Sequence, residues 1–118
     1  MQLTNVHFIR FMSKNELANY YKAADCTAFP TREDIWGLIT NESIAYGIPV
    51  VATNRCISAL ELIDDNINGY IVPVNDHIAL ANAIKKAINT DCYVKCIQTA
   101  QQYTIEMMAK GHLSLIKN

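Results

Sequence analysis

A parallel β-sheet covered by helices on both faces is the fold class predicted for residues 1–118, which read as one α/β domain. Three observations predict it. Short apolar and β-branched runs, such as Val50-Val51-Ala52 and Tyr70-Ile71-Val72, suit strands buried on both faces. Segments with helix spacing separate the runs. Gly and Pro mark the changeovers at Gly47-Ile48-Pro49 and at Val72-Pro73. Such an order implies right-handed crossovers and a ligand crevice past the carboxyl ends of the strands.

Taken in order, Asn5 to Phe11 alternates loosely and is rich in β-formers, which predicts a first strand. Ser13 and Glu16 make a capping box for a helix whose apolar side carries Leu17, Tyr20, Tyr21 and Ala24. Cys26 to Phe29, closed by Pro30, is a second strand, and a helix follows over Leu38 to Tyr46. Gly47 is the expected left-handed end of that helix, and Pro49 prevents its restart. After the Val50 strand a short helix is expected over Ala59 to Ile63. The Asp64-Asp65-Asn66-x-Asn68-Gly69 turn then leads to a strand at Tyr70 to Val72. Asp76 caps a helix with Ile78, Ala81, Ile84 and Ile88 on one side. A last helix is expected from about Asp91 to Lys110, with Val94, Ile97, Tyr103 or Thr104 and Met107 or Met108 inward.

Composition narrows the function. Acids and bases nearly cancel, at a net charge of −1, so no basic face for nucleic acid is indicated. Apolar runs are too short to span a membrane, and the N-terminus lacks the basic start and apolar centre of a signal peptide. A cytoplasmic chain is expected, with peripheral membrane association left open. Cys26, Cys56, Cys92 and Cys96 lack the spacing of a zinc site or a disulfide framework and read as free thiols. His7, His77 and His112 are scattered and read as structural or exposed.

Chemistry concentrates between Phe29 and Thr53. Glu33 and Asp34 lie in the loop after the second strand, Gly37 lets the backbone turn, and a helix begins at once. The first N–H groups of a helix have no internal partner and carry partial positive charge, so Gly37, Leu38 and Ile39 are candidate anion-binding amides. Asp34 and Glu42 are separated by seven residues, so both carboxylates are expected to face the crevice. One would hold a ribose or sugar hydroxyl while the helix start holds phosphates, a geometry suited to a nucleotide-sugar. The alternative for Asp34 is a plain helix cap, with Glu33 taking the outer role, and Trp36 reads as a packing residue or a sugar platform.

The pattern Asp34-x7-Glu42 enclosing Trp36-Gly37-Leu38, followed by Glu42-Ser43-Ile44-Ala45-x-Gly47-x-Pro49-Val50-Val51, resembles the retaining GT-B glycosyltransferases of family 4. Upstream, Val6-His7-Phe8-Ile9-x-Phe11-Met12-Ser13 and Tyr20-Tyr21-x-Ala23-Ala24-Asp25 also fit. So do Glu61-Leu62-Ile63 and Asn68-Gly69-Tyr70-Ile71-Val72-Pro73 downstream. The family pattern has Glu where this chain has Asp34. The resemblance implies a Rossmann-like sheet, the C-terminal part of a GT-B domain lacking its first two strands, with Glu42 on the ribose and Asp34 near the transferred sugar. It places the nucleotide base at Phe11 and Met12, although both would serve equally as core.

The resemblance implies a UDP- or GDP-sugar donor, no cofactor and no metal, and retained anomeric configuration in the product. The Pro30 to Gly37 loop resembles those of enzymes that assemble bacterial surface polysaccharides. The family's acceptor domain has no counterpart in the sequence. Nor has its basic pair on the diphosphate, since Arg10, Arg32 and Arg55 are isolated. Weak donor binding and no turnover by this chain alone are therefore expected, as is a homodimer or rearranged sheet around an unpaired strand. The competing readings are a non-catalytic nucleotide-binding or pairing module, and a sugar-nucleotide epimerase, which lacks the Gly-Leu-x-x-x-Glu order.

Overall fold

The computed structural model describes residues 3–104, 109, 110 and 113. Within them the chain runs α1 (Lys14–Ala23), β1 (Thr27–Phe29), α2 (Leu38–Ala45), β2 (Val50–Thr53), α3 (Ile57–Leu62), β3 (Gly69–Val72), α4 (His77–Ile88) and α5 (Tyr93–Gln102). The three strands form one parallel sheet in the order β1-β2-β3. Thr27 lies opposite Val50, and Val51 opposite Tyr70.

Side chains alternate across a strand, and β2 shows what this does to the core. Val50 and Ala52 face a layer built from Ile44 of α2, Ala59 and Leu62 of α3, and Cys96 of α5. Val51 faces the other way, with Tyr70 and Val72, onto Ala83 and Ala87 of α4. Every residue of β2 is buried. Both faces of the sheet are thus covered, as the continuous apolar runs predict.

The expected strand over Asn5 to Phe11 is absent: the segment has no sheet partner and Phe8 and Phe11 are fully exposed. β-Formers make a strand only where a neighbour can take their hydrogen bonds. Here β1 pairs with β2 alone and its other edge is open. The Ser13–Glu16 capping box forms as read, but of the predicted apolar side only Tyr21 is buried.

Two helices sit rotated from their predicted faces. In α4 the buried positions are Ala83 and Ala87, flanked by Ala79, Leu80 and Ile84, while Ile78 is 65% and Ile88 51% exposed. Small alanines let α4 approach the sheet, so close packing outweighs the larger apolar residues. In α5, Cys92 and Cys96 point inward and Val94 outward, so the thiols fill the positions assigned to larger side chains. α5 ends at Gln102 and the chain turns at Tyr103, within the span predicted as one helix, of which Ala109 and Lys110 are again helical; Met107, Met108 and His112 lie outside the described residues.

All four cysteines are free. Burial pushes the Cys96 thiol up from 9.0 to about 12 and that of Cys26 to about 11. A thiol whose pKa is higher folded than unfolded holds its proton more tightly in the native state. Its stabilisation is complete below the unfolded value and is lost as pH rises through the folded one. The urea midpoint should therefore fall progressively from pH 9.0 to about 12. A midpoint that stays level across that window would refute this account.

Candidate functional site

The acidic loop is strapped down from both sides. Leaving β1, Thr31 O accepts from Thr53 Oγ1 at 2.6 Å. Asp34 N donates to Arg55 O at 3.1 Å and Asp34 O accepts from Ile57 N at 3.3 Å, tying the loop to the start of α3. Asp34 Oδ1 accepts from Trp36 N at 3.1 Å, an Asx turn, and Trp36 Nε1 donates to Asn41 Oδ1 at 2.8 Å. Asp34 therefore shapes the loop and does not cap the helix.

Gly37 takes a left-handed φ of +66°, and a Cβ there would stand 3.1 Å from both Cys56 Sγ and Phe29 Cε1. Beneath it lies a buried polar clasp. Ser58 Oγ donates to Gly37 O at 2.8 Å and meets Thr40 Oγ1 at 3.0 Å, with Thr40, Cys56 and Ser58 all fully buried. The start of α2 is thus fixed from below, with Leu38 66% exposed and Gly37 and Ile39 half-buried. Ser13 and Asp76 cap α1 and α4, whereas no side chain caps α2. Thr40 N bonds back to Gly37 O, and the amides of Gly37, Leu38 and Ile39 precede it, where no intrahelical acceptor exists.

One turn further on, Glu42 reaches toward α1, where Tyr21 Oη donates to Glu42 Oε2 at 3.1 Å. The Tyr21 ring stacks on Tyr46 with centroids 5.3 Å apart and planes 7° from parallel. Burial, and then the Glu42 carboxylate, push the Tyr21 phenol up to about 12. Lys14, Leu17, Ala18, Tyr21, Glu42 and Tyr46 enclose a cleft of about 170 Å³.

The predicted site residues are only partly gathered. Leu38, Ile39 and Glu42 lie on α2, and Gly37 is its N-cap. Asp34 is not among the walls of the Glu42 cleft, because the Asx turn and the tie to α3 hold it over the loop. Phe11 and Met12 line a separate open hollow with Arg10, Glu16, Asn19 and Tyr20. Glu16, Asn19 and Tyr20 lie on the opposite side of α1 from Leu17 and Tyr21. A third cavity of about 330 Å³, walled by Pro30, Thr53, Val72 and Asn75, sits at the ends of the strands and includes neither acid. The sequence reading missed Tyr21 and Lys14 as neighbours of Glu42. Tyr21 sits at helical spacing from Leu17, which reads as core. Among the described residues no group of three or more His, Cys, Asp or Glu is placed to hold a metal ion, and no helix is long and apolar enough to cross a membrane.

The sequence profile of the glycosyl transferases group 1 family matches residues 2–103. The chain belongs to this family. Relatives within it include the D-inositol 3-phosphate glycosyltransferase of Corynebacterium urealyticum, 33% identical over 119 residues, covering 96% of this chain and 28% of that protein. The protein of the same description from Saccharomonospora viridis is 36% identical over 72 residues, 60% of this chain and 16% of its own length. In structure, sucrose-phosphate synthase from Thermosynechococcus elongatus superposes with a TM-score of 0.78 at 27% identity, over 94% of this chain and 29% of that one. The fold is that of a C-terminal GT-B domain fragment, Rossmann-like with a three-stranded parallel sheet. The chain spans less than a third of the length of each of these proteins.

Proposed function

We propose that this group 1 chain carries the donor-binding part of a retaining glycosyltransferase and takes a UDP- or GDP-sugar at the start of α2. The observation that carries this reading is a helix start without a side-chain cap, its Leu38 exposed, one turn from a carboxylate held by a neighbouring phenol. The Gly37, Leu38 and Ile39 amides would face the diphosphate and Glu42 the ribose. Asp34, with one oxygen engaged by Trp36, keeps the loop in shape beside the transferred sugar. As the glycosidic bond breaks, charge develops on the departing diphosphate, and a helix start already aimed there stabilises it without reorganising. Phe11 and Met12 line a different hollow, across α1 from Glu42. Assembly of a bacterial surface polysaccharide is the proposed setting, on the resemblance of the Pro30 to Gly37 loop.

A second reading, a binding or pairing module without turnover, is favoured by the open edge of β1. One set of measurements separates the two. UDP, GDP and UDP-sugars are titrated against the purified chain while slow donor hydrolysis is followed. Glu42→Ala should weaken binding roughly thirtyfold, the loss expected for hydrogen bonds to a charged group. Hydrolysis that disappears in Glu42→Ala supports the enzyme, and binding without hydrolysis supports the module. Affinity unchanged by Glu42→Ala removes the donor site.

A further inference from the structure

Glu42 has two carboxylate oxygens, and the structure treats them differently. Oε2 accepts from Tyr21 Oη at 3.1 Å, while Oε1 has no hydrogen-bond partner among the described residues, and Glu42 is one wall of the cleft. Tyr21 is itself tightly placed. It is the one buried residue of α1, and its ring is pinned face to face on Tyr46, which closes the C-terminal end of α2. The phenol therefore bridges two helices at the point where the carboxylate emerges. A Glu side chain one turn into a helix has three torsions to fix, and an unheld carboxylate spends that entropy when it binds.

We infer that Tyr21 is a positioning residue for Glu42, holding Oε2 so that Oε1 is presented to a vicinal diol in the cleft. This rests on the reading above, in which Glu42 meets the donor's ribose. The phenol donates its only proton to the carboxylate, so it acts through Glu42 and not on the nucleotide. A carboxylate fixed in this way accepts from the 2′- and 3′-hydroxyls together and gains least from a sugar that lacks one of them. The chemical class selected is a ribonucleoside diphosphate over its 2′-deoxy counterpart.

The test is a titration of UDP and 2′-deoxy-UDP against the full 118-residue chain, followed by NMR line shifts so that weak binding is read. It compares wild type with Tyr21→Phe, Glu42→Gln and the double variant. Tyr21→Phe keeps the ring and its stack on Tyr46, and its urea midpoint reports separately on any loss of fold. UDP affinity should fall roughly tenfold in Tyr21→Phe, with 2′-deoxy-UDP affinity unchanged. The double variant should bind no more weakly than Glu42→Gln, because a residue acting through its partner contributes nothing once that partner is gone. If Glu42→Gln weakens UDP binding while Tyr21→Phe does not, or if the two losses add, the positioning role fails and the donor site stands. Wild type that binds no nucleotide, or Glu42→Gln that binds as wild type does, removes the donor site and the role of Tyr21 with it.

Discussion

Gly69→Ala is expected to cost on the order of 4 kcal/mol, among the largest losses a single methyl can cause. Gly69 opens β3 and lies opposite Val50, the first residue of the central strand. A Cβ there would stand 2.5 Å from Val50 O and 2.8 Å from Ile63 Cδ1. Ile63 can turn, but the carbonyl cannot withdraw, because Val50 is fully buried and is also in register with Thr27 of β1. The methyl must therefore force apart two strands that are both packed by helices. At Gly47 the cause differs: a Cβ there would meet the Tyr93 ring, which is 56% exposed and can turn away, so the cost of a side chain comes from the left-handed φ of +77°. Urea unfolding of Gly69→Ala and of Gly69→Ala with Ile63→Val checks the argument. The second change should recover only a small part of the loss, and an unchanged midpoint in the first would show that β2 and β3 do not meet in this register.

Asn68→Ala is expected to cost about 3 kcal/mol and to loosen α5 before the sheet. Asn68 is 1% exposed and all its side-chain polar atoms are engaged. Its Oδ1 accepts from Asp64 N at 2.8 Å, and its Nδ2 donates to Leu62 O and to Thr99 Oγ1, each at 2.9 Å. Its own carbonyl accepts from Cys96 Sγ at 3.3 Å. One amide thus joins the end of α3, the turn before β3 and the middle of α5. Alanine would strand the buried Leu62 carbonyl and take the partner from the Asp64 amide, and an unpaired buried group costs more than the bond contributed. Hydrogen exchange should speed up first across Tyr93 to Gln102. Exchange that rises equally in β2 would show that α5 is not a separate cooperative unit.

The parts of this fold legible in the sequence are those that local chemistry decides. Gly47 ends α2 in the left-handed region, Ser13 and Glu16 start α1, and Asp76 caps α4, each from signals a few residues long. In the turn before β3, Asn66 takes the positive φ that the Asn- and Gly-rich sequence allows, while Gly69 is required by the nearness of Val50. That nearness is set by the strand pairing, which no short window contains. The same holds for Asn5 to Phe11, whose composition suits a strand but whose outcome depends on a neighbour. At the site, the sequence located the start of α2 and the placing of Glu42 on it. Tyr21, twenty-one residues upstream, joins Glu42 only when α1 lies against α2. Asp34 follows the same logic in reverse, since its backbone ties to Arg55 and Ile57 hold it away from the Glu42 cleft.

Because Tyr21 is the one buried residue of α1, that helix is moored to the body by a phenol and not by an aliphatic stripe. Strong alkali would strip the shared proton and leave two anions nose to nose in a narrow gap, turning the mooring into a repulsion. α1 would then swing loose while the strands behind it stayed paired.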